Sequence, residues 1–539
     1  MVGEPRTAGG SRVTHDLQQG HCLREGSKGN FRPMNEPLQE ITTGHPRRWI
    51  ILGILNLSLI MIIASVSSLN LSLPSLQRAL GATGVQLVWI NAAYALVFAA
   101  LLLPAGALGD RFGRRGALQL GLAIFLAGAI LATRSSSAEQ IILWRCLMGV
   151  GAAFTMPATL SILTAVFPPE ERSRAIAIWA GFAGAGGAIG LLSAGLLLEY
   201  FWWGSVFFVN IPIALVALIL ITLVVPTSRD SQRRPLDPVG GLLTAGGLTG
   251  LVYGLIQGPE FGWSDPGVIG GLLAAVVLLT AWVLNARRQV EPMLDPALFA
   301  ISRFGLASLT ITAAFAVMFG MFFGLAQYLQ FVMGYSPLNT SLRVIPFALG
   351  MVAVAPRGPR LVERFGAGRV MGSGLLLASL GCVIMSLLSA DSSYLHVLAG
   401  ILMLSSGMAM TFPTATTAIV GSLPLDKAGV ASAVNDTTRE VGSAVGIALL
   451  GSLLSAGYRR DLGDTLDSLP LPAEALEAAR DSVGAALHVA RSAPGSAGDT
   501  IAAAARSAFA SGYSLSMIAG AVIMATVGVI LVLRFPDSG

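Results

Sequence analysis

The sequence predicts an all-α polytopic membrane protein with fourteen transmembrane helices, and three observations lead to that fold class. Of its 539 residues, 54% are hydrophobic and only 12% are charged, whereas soluble proteins carry about 25% charged residues. Apolar runs recur along the whole chain, and each is long enough to cross a ~30 Å hydrocarbon core as a helix. The two halves of the chain also repeat each other in sequence.

The order of the segments follows from these apolar runs. Residues 1–46 are polar and contain no apolar stretch of the signal-peptide kind, so we expect a disordered cytoplasmic tail there. We expect a first six-helix bundle at 47–226, two inserted helices at 227–290, and a second bundle at 291–539 with a long external loop at 457–511. The predicted spans are 49–71, 87–108, 117–133, 140–166, 174–198, 204–226, 238–257, 267–286, 305–332, 343–358, 369–390, 395–420, 429–456 and 512–533.

Basic residues are distributed unequally between the loops at the two ends of these spans. Most loop arginines fall on the side of the N-terminus, whereas the short opposite loops hold only Arg78, Arg134 and Arg343. The positive-inside rule therefore places both termini in the cytoplasm of a multi-pass protein of the cell membrane. The net charge of +5 reflects this topology, and we expect no nucleic-acid partner.

An internal duplication relates the two bundles. The segment at 151–168, GAAFTMPATLSILTAVFP, resembles the segment at 407–424, GMAMTFPTATTAIVGSLP. The loop DRFG at 110–113 recurs as ERFG at 363–366. Spans one to six and nine to fourteen are therefore two copies of one unit, with spans seven and eight inserted between them. Parallel repeats of this kind place a substrate site near the membrane midplane, between the halves.

Three ionisable residues lie inside span thirteen, namely Asp436, Arg439 and Glu440. Residues three and four apart share one face of a helix, and a charge at this depth costs at least ~2.5 kcal/mol, so the cluster predicts a functional site. Burial raises the pKa of a carboxyl group and a nearby arginine lowers it. One acid can therefore pair with Arg439 while the other carries a proton. The alternative is a static network of charges that joins helices.

A loop motif identifies a family. The segment at 106–115, GALGDRFGRR, resembles the G-x-L-x-D-R-x-G-R-R loop of the major facilitator superfamily at each fixed position. With fourteen spans and the segment NDTTREVGSAVG at 435–446, the chain resembles the fourteen-span drug:proton antiporter branch (EmrB/QacA-like). The resemblance extends over about 49–534. It implies a major facilitator fold and proton-coupled efflux by alternating access.

The resemblance also implies roles for individual residues. Arg145, in span four, matches a position linked to proton transfer, and its counterpart in the second half is Ile401. The loop motif implies a conformational latch, and a purely structural clasp is the alternative. The residues of this latch are Asp110, Arg111, Gly113, Arg114 and Arg115.

Two positions depart from the pattern of the branch. Ser65 stands where the first span usually has an acid, and the span-five segment at 190–195, GLLSAG, lacks the usual proline. The first span therefore offers no acid for coupling. Asp436 and Glu440 become the leading candidates for proton coupling, together with Arg439 and Arg145.

Polar and aromatic side chains at helical spacing predict the wall of a substrate cavity. Aromatic faces attract lipophilic cations by ~0.5–2 kcal/mol per contact, and the alternative is that these rings face lipid or fill the core. The candidates for substrate binding are Asn70, Trp89, Asn91, Tyr94, Phe319, Phe323, Gln327 and Tyr328.

The remaining function classes can be ordered. The sequence has no G-x-x-x-x-G-K-[ST] loop for ATP and no constellation for catalysis or metal binding, so we expect neither an enzyme nor a cofactor. We expect a monomer whose partners are protons, the bilayer and small lipophilic molecules. The main hypothesis is a multidrug exporter of lipophilic cations. Export of an endogenous metabolite or antibiotic, or a transporter-like sensor that no longer moves substrate, remain as alternatives.

Overall fold

The computed structural model describes residues 44–228, 237–289, 292, 295–423, 428–466, 472–493 and 497–536. The predicted tail at 1–46 lies outside this part of the chain except for its last positions, 44–46. The helices of the described residues are α1 Arg48–Leu80, α2 Gly84–Phe112, α3 Arg114–Thr133, α4 Ala138–Val166, α5 Pro169–Tyr200, α6 Ser205–Phe208, α7 Asn210–Val224, α8 Pro238–Phe261, α9 Pro266–Arg288, α10 Ser302–Gln327, α11 Pro337–Val354, α12 Gly358–Phe365, α13 Ala367–Ser386, α14 Tyr394–Val420, α15 Ala428–Leu466, α16 Ala473–Asp481, α17 Val483–Ser492 and α18 Ala497–Arg534.

The helices match the predicted spans closely. Within the described residues, 13 helical segments are long and apolar enough to cross a membrane. The predicted span 174–198 lies within α5, whose described apolar part is Gly186–Tyr200. The prediction of an all-α polytopic membrane protein is therefore confirmed.

The tenth span differs from its prediction. Instead of one helix at 343–358, the segment Pro337–Phe365 consists of α11, a 3₁₀ turn at Ala355–Arg357 and α12. Pro356 has no backbone N–H to donate within a helix, which explains the interruption at this point.

The segment at 457–511, predicted as a long external loop, is mostly helical in its described residues. Helix α15 continues to Leu466 and α18 begins at Ala497, so both spans project well beyond the predicted limits. Helices α16 and α17 lie between them, and the Tyr458 hydroxyl donates a 2.8 Å hydrogen bond to the carbonyl of Ala479. We call the end of the bundle that carries α16 and α17 the cap end, and the opposite end, which carries 109–115, the motif end.

The duplication seen in the sequence is repeated in the packing. A Cβ added to Gly121 in α3 would lie 2.5 Å from the Thr155 Oγ1, and one added to Gly374 in α13 would lie 2.5 Å from the Thr411 Oγ1. Both glycines therefore allow a close approach of neighbouring helices that any larger residue would prevent. The turn between α2 and α3 is likewise repeated, because Gly113 and Gly366 both have positive φ angles, 130° and 84°.

Each half has its own hydrophobic core, and the halves meet toward the cap end. The Gln330 Nε2 of the second half donates a 2.9 Å bond to the carbonyl of Leu71 in α1. The guanidinium of Arg78 lies 5.8 Å from the ring centroid of Phe331. Glu199 at the end of α5 accepts a 3.3 Å bond from the backbone N–H of Leu338. These contacts describe a state that is closed at the cap end.

The inserted helices α8 and α9 form a hairpin beside the bundles. Helix α8 packs against both α2 and α15, which come from different halves. The hairpin therefore borders the seam along which the halves meet.

Candidate functional site

The charged cluster of α15 faces α10 and α14. The Arg439 Nη1 lies 3.8 Å from the Asp436 Oδ1, and the side chains are 30% and 17% exposed. The Arg439 Nη2 also donates to the Thr416 Oγ1 at 3.3 Å, and its guanidinium lies 5.4 Å from the ring centroid of Phe315. Asp436 therefore has a cationic partner on its own helix, and Arg439 is held by two neighbouring helices.

Asn435 adds a polar link between α15 and α14. It is buried, and its Oδ1 accepts a 3.3 Å bond from the Thr416 hydroxyl. Its Nδ2 lies 3.4 Å from the Asp436 Oδ1. Sequence analysis did not single out Thr416, because the order of residues does not reveal which helices become neighbours.

Glu440 differs from Asp436 in its surroundings. Within the described residues, no arginine, lysine or histidine forms a salt bridge with the Glu440 carboxylate, whereas Asp436 has one with Arg439. Glu440 also lies within electrostatic range of Tyr94 in α2, across the boundary between the halves. The two acids of the cluster are therefore unequal.

Arg145 is a buried charged residue of the first half. Its side chain is 0% exposed, and its guanidinium lies 4.2 Å from the ring centroid of Tyr94. The Arg145 Nε donates a long 3.4 Å bond to the carbonyl of Ile90, while Nη1 and Nη2 have no partner in the described residues. Tyr94 thus contacts the buried arginine of its own half and is influenced electrostatically by Glu440 of the other half.

Two asparagines predicted to line the cavity bind each other instead. The Asn91 Nδ2 in α2 donates a 2.5 Å bond to the Asn70 Oδ1 in α1, and both residues are buried. The Asn91 Oδ1 has no partner among the described groups. This pair joins α1 to α2 and leaves one acceptor atom for a ligand or a water molecule.

The aromatic residues of α10 lie at the boundary between the halves. Phe315 and Phe319 stack with their centroids 6.0 Å apart, and Phe319 and Phe323 pack against the core of the first half. Gln327, one turn further along, is buried and donates a 3.0 Å bond to the carbonyl of Phe323. An aromatic wall therefore runs from the charged cluster toward the cap end.

Two predicted wall residues are placed elsewhere by the structure. Tyr328 is 0% exposed in the core of the second half, where it stacks on Tyr513 at 5.8 Å and donates a 2.6 Å bond to the carbonyl of Ser389. Trp89 faces the inserted hairpin, with its ring centroid 6.4 Å from that of Tyr253 in α8. Neither side chain belongs to the aromatic wall of α10.

The motif loop forms contacts within the first half. The Arg114 Nε lies 2.7 Å from the Asp110 Oδ1, and the Arg114 Nη1 donates a 3.3 Å bond to the carbonyl of Ser161 in α4. The Arg115 Nη2 donates a 2.6 Å bond to the carbonyl of Thr222 in α7. In this state the loop ties α2 and α3 to the ends of α4 and α7.

Of the remaining latch residues, Arg111 is exposed and Gly113 is buried. The Arg111 guanidinium lies 5.7 Å from the ring centroid of its exposed neighbour Phe112. Gly113 has φ 130° and joins α2 to α3. A residue with a side chain would be strained in this conformation.

Comparison with known proteins agrees with this architecture. The family model described as Major Facilitator Superfamily matches residues 55–447. The chain belongs to the major facilitator superfamily. Its predicted membership and its fold class are both confirmed by this match and by the helical structure.

Similar proteins are drug exporters by name. The chain is 33% identical to the multidrug efflux pump LfrA of Mycolicibacterium smegmatis, over 91% of this chain and 97% of that protein. It is 33% identical to the tetracenomycin C resistance and export protein of Streptomyces glaucescens, over 90% and 92% of the respective chains.

A solved structure shares the fold. It is the inward-facing, unoccupied form of a bacterial homologue of the human lysosomal transporter Spinster, with a TM-score of 0.64 and 19% identity. The match covers 90% of this chain and 97% of that one. At this identity the likeness concerns the fold alone.

Proposed function

We propose that this membrane transporter exports lipophilic cations in exchange for protons by alternating access. Both termini lie in the cytoplasm in this proposal, so the motif end is cytoplasmic and the state closed at the cap end faces inward. The names of the similar proteins support drug export. The charged and aromatic groups at the boundary between the halves support the cationic class.

The unequal surroundings of the two acids carry the proposal. Asp436 is paired with Arg439 at 3.8 Å, so its negative charge is compensated in place. Glu440 forms no salt bridge with a described residue, so its charge is compensated less directly than that of Asp436, and a proton or a cationic substrate can compensate it. Competition between a proton and a cation for one carboxylate is the physical basis of exchange. We assign the proton-carrying role to Glu440 and a supporting role to Asp436 and Arg439.

Tyr94 and Arg145 extend this coupling into the first half. The Arg145 guanidinium lies 4.2 Å from the Tyr94 ring, and Tyr94 is within electrostatic range of Glu440. Loss of the negative charge on Glu440 changes the electrostatic field that acts across the boundary between the halves. Protonation of one acid thereby changes how strongly the halves attract each other. Such a change is what alternating access requires.

The substrate class follows from the wall of the cavity. Phe315 lies beside the charged cluster, with its ring centroid 5.4 Å from the Arg439 guanidinium, and Phe319 and Phe323 continue the row of rings along α10. A lipophilic cation can therefore meet both ring faces and charged groups along this wall. Asn70, Asn91 and Gln327 supply polar atoms close to the same boundary. The second candidate function, export of an antibiotic or endogenous metabolite, is favoured by the name of the tetracenomycin C exporter.

The motif loop is proposed as the latch of the motif end. In the present state, Asp110 and Arg114 bind each other and the end of α4. Opening at the cap end requires the halves to close at the motif end. We propose that Asp110, Arg111, Arg114 and Arg115 then stabilise that closed end, with Gly113 allowing the turn.

The experiment is proton-coupled ethidium transport in proteoliposomes. The parent should move ethidium when a proton gradient is applied, and added ethidium should move protons in the opposite direction. Glu440→Gln should abolish the proton movement, and Asp436→Asn should reduce it less. Glu477→Gln, which removes an exposed acid of α16, should leave it unchanged.

Two outcomes would contradict the proposal. If both Glu440→Gln and Asp436→Asn exchange ethidium and protons at the parental rate, the assignment of the coupling site is wrong. If the parent moves no protons with any substrate, the sensor hypothesis replaces transport.

A further inference from the structure

We call the charged cluster of α15 and the aromatic wall of α10 the boundary site. A cavity lies outside this site, between the seam of the halves and the inserted hairpin. Its volume is about 260 Å³, and it is bordered by α2, α8, α9, α10 and α15. Thr437 and Thr438 line it, although they lie between Asp436 and Arg439 in the chain. Because α15 turns its charged face toward α10 and α14, the cavity touches the opposite face of the same helical turns. We call it the hairpin crevice.

The position of the hairpin crevice along the helices is defined by its lining. It includes Ala100 and Pro104 near the end of α2, and Asp237 and Gly240 at the start of α8. These residues belong to the half of the bundle nearest the motif end. Helix α9 supplies Leu279 and Trp282, and most of α9 is exposed at the surface of the protein. The outer wall of the crevice is therefore formed by an apolar helix that is largely exposed.

The residues that line the crevice favour a positively charged ligand. Among the described residues, the crevice is lined by no arginine, lysine or histidine, and Asp237 is its one acid, only 7% exposed. The hydroxyls of Thr244, Thr312 and Thr438 donate to carbonyls of their own helices at 2.9, 3.0 and 2.8 Å. Their oxygen lone pairs remain as acceptors, so the polar part of the lining is electronegative.

Asp237 has a structural role that leaves it available for a ligand. It precedes α8, and its Oδ1 accepts a 2.8 Å bond from the backbone N–H of Gly240. A carboxylate has two oxygens and about four acceptor sites, so capping uses only part of its capacity. Within the described residues, Asp237 forms no salt bridge. The aromatic rings of Trp282 and Phe299 complete the lining.

From these features, we infer that the hairpin crevice is a second binding site, which receives a lipophilic organic cation from the membrane before it reaches the boundary site. The apolar walls accept the body of the molecule, and the carboxylate, the acceptor oxygens and the aromatic rings attract its charge. A phospholipid fits this lining less well, because Asp237 repels its phosphate. The inference rests on the proposed function and gives the inserted helices α8 and α9 a role in substrate capture.

A pair of matched variants tests the role of charge. Asp237→Asn removes the charge and keeps a residue that caps helices well. Asp265→Asn is its control, because Asp265 caps α9 in the same way, with bonds of 2.8 and 3.1 Å to Gly267 and Val268, but does not line the crevice. In proteoliposomes, Asp237→Asn should raise the KM for ethidium about fivefold with kcat unchanged, the factor that ~1 kcal/mol of lost attraction gives. Asp265→Asn should match the parent.

A second pair of variants tests whether the volume of the crevice must be free for transport. Thr244→Trp places a large side chain in the crevice, and Thr249→Trp places the same side chain on the exposed face of α8. Only Thr244→Trp should raise the KM for ethidium. The melting temperature of each variant shows whether the protein is folded. If Thr244→Trp does not fold, the comparison of Asp237→Asn with Asp265→Asn alone tests the inference.

The outcomes separate the inference from the proposed function. A parent that moves no ethidium refutes the proposed function. A parent that transports, with Asp237→Asn equal to Asp265→Asn, refutes the inference alone. An effect of Thr244→Trp without one of Asp237→Asn would show that the crevice holds a lipid chain, which also overturns the inference.

Discussion

Replacement of Arg145 by methionine should make the protein more stable while it abolishes transport. Arg145 is 0% exposed, and its Nη1 and Nη2 have no hydrogen-bond partner within the described residues. A buried polar group without a partner costs about 1–3 kcal/mol, and more when it is charged. The two nitrogens together therefore destabilise the fold by about 2–6 kcal/mol.

The favourable contacts of Arg145 are weaker than this cost. Its stacking on Tyr94, at 4.2 Å, contributes about 0.5–2 kcal/mol. Its 3.4 Å bond to the carbonyl of Ile90 is long and contributes about 1 kcal/mol at most. Methionine fills much of the same space without charge, so Arg145→Met should gain about 1–3 kcal/mol. Replacement of buried ions by apolar groups often has an effect of this size.

The assay is thermal unfolding in detergent, with ethidium–proton exchange measured on the same preparations. Arg145→Met should melt a few degrees higher than the parent and should exchange no protons. Arg145→Lys keeps the charge but loses the planar stacking, and should show neither the gain in stability nor full activity. A melting temperature below that of the parent for Arg145→Met would refute the reasoning, because it would show that the buried guanidinium stabilises the fold.

Two further predictions concern the fold. Gly121→Val and Gly374→Val should each lower the melting temperature and reduce the free energy of unfolding by about 1–3 kcal/mol. The reason is that a Cβ at either position would lie 2.5 Å from a threonine oxygen. Gly270→Val is the control, because a Cβ at Gly270 meets nothing within 4 Å, and it should be neutral. At the motif end, the hydrogen bond from Arg48 lowers the pKa of Glu171, which precedes the predicted span 174–198. A lowered pKa contributes stability above the pKa of the unfolded chain, and this contribution is lost as the pH falls through the lowered value. The parent should therefore lose more stability than Arg48→Gln between neutral and acidic pH, and equal losses in melting scans would disprove this role.

Much of the charged cluster was predictable from helical geometry. Asp436 and Arg439 are three residues apart and do pair, as the spacing on a helix requires. Their partners on other helices, Thr416 and Phe315, were not predictable. Spacing along a chain defines the face of a helix, but it does not say which helix packs against that face.

The predicted aromatic wall also shows how far helical spacing can predict the position of a side chain. Phe319, Phe323 and Gln327 follow one another at intervals of four and occupy one face of α10. From Tyr328 to Val332 the helix adopts a π-helical turn, which holds more residues per turn. Tyr328 follows Gln327 directly and is therefore rotated by about 100° from it, so it points into the core instead of continuing the wall. The sequences of the inserted helices α8 and α9 contain no pattern that indicates a binding site, because the hairpin crevice is formed only where these helices contact α2 and α15.

Proton release on ethidium binding tests the central claim most directly. In weakly buffered detergent solution at constant pH, the parent should release protons when ethidium binds, since the cation displaces the proton on Glu440. Glu440→Gln should bind ethidium more weakly and release none, whereas Asp436→Asn should still release protons. If Glu440→Gln releases protons to the same extent as the parent, Glu440 is not the group that couples protons to substrate.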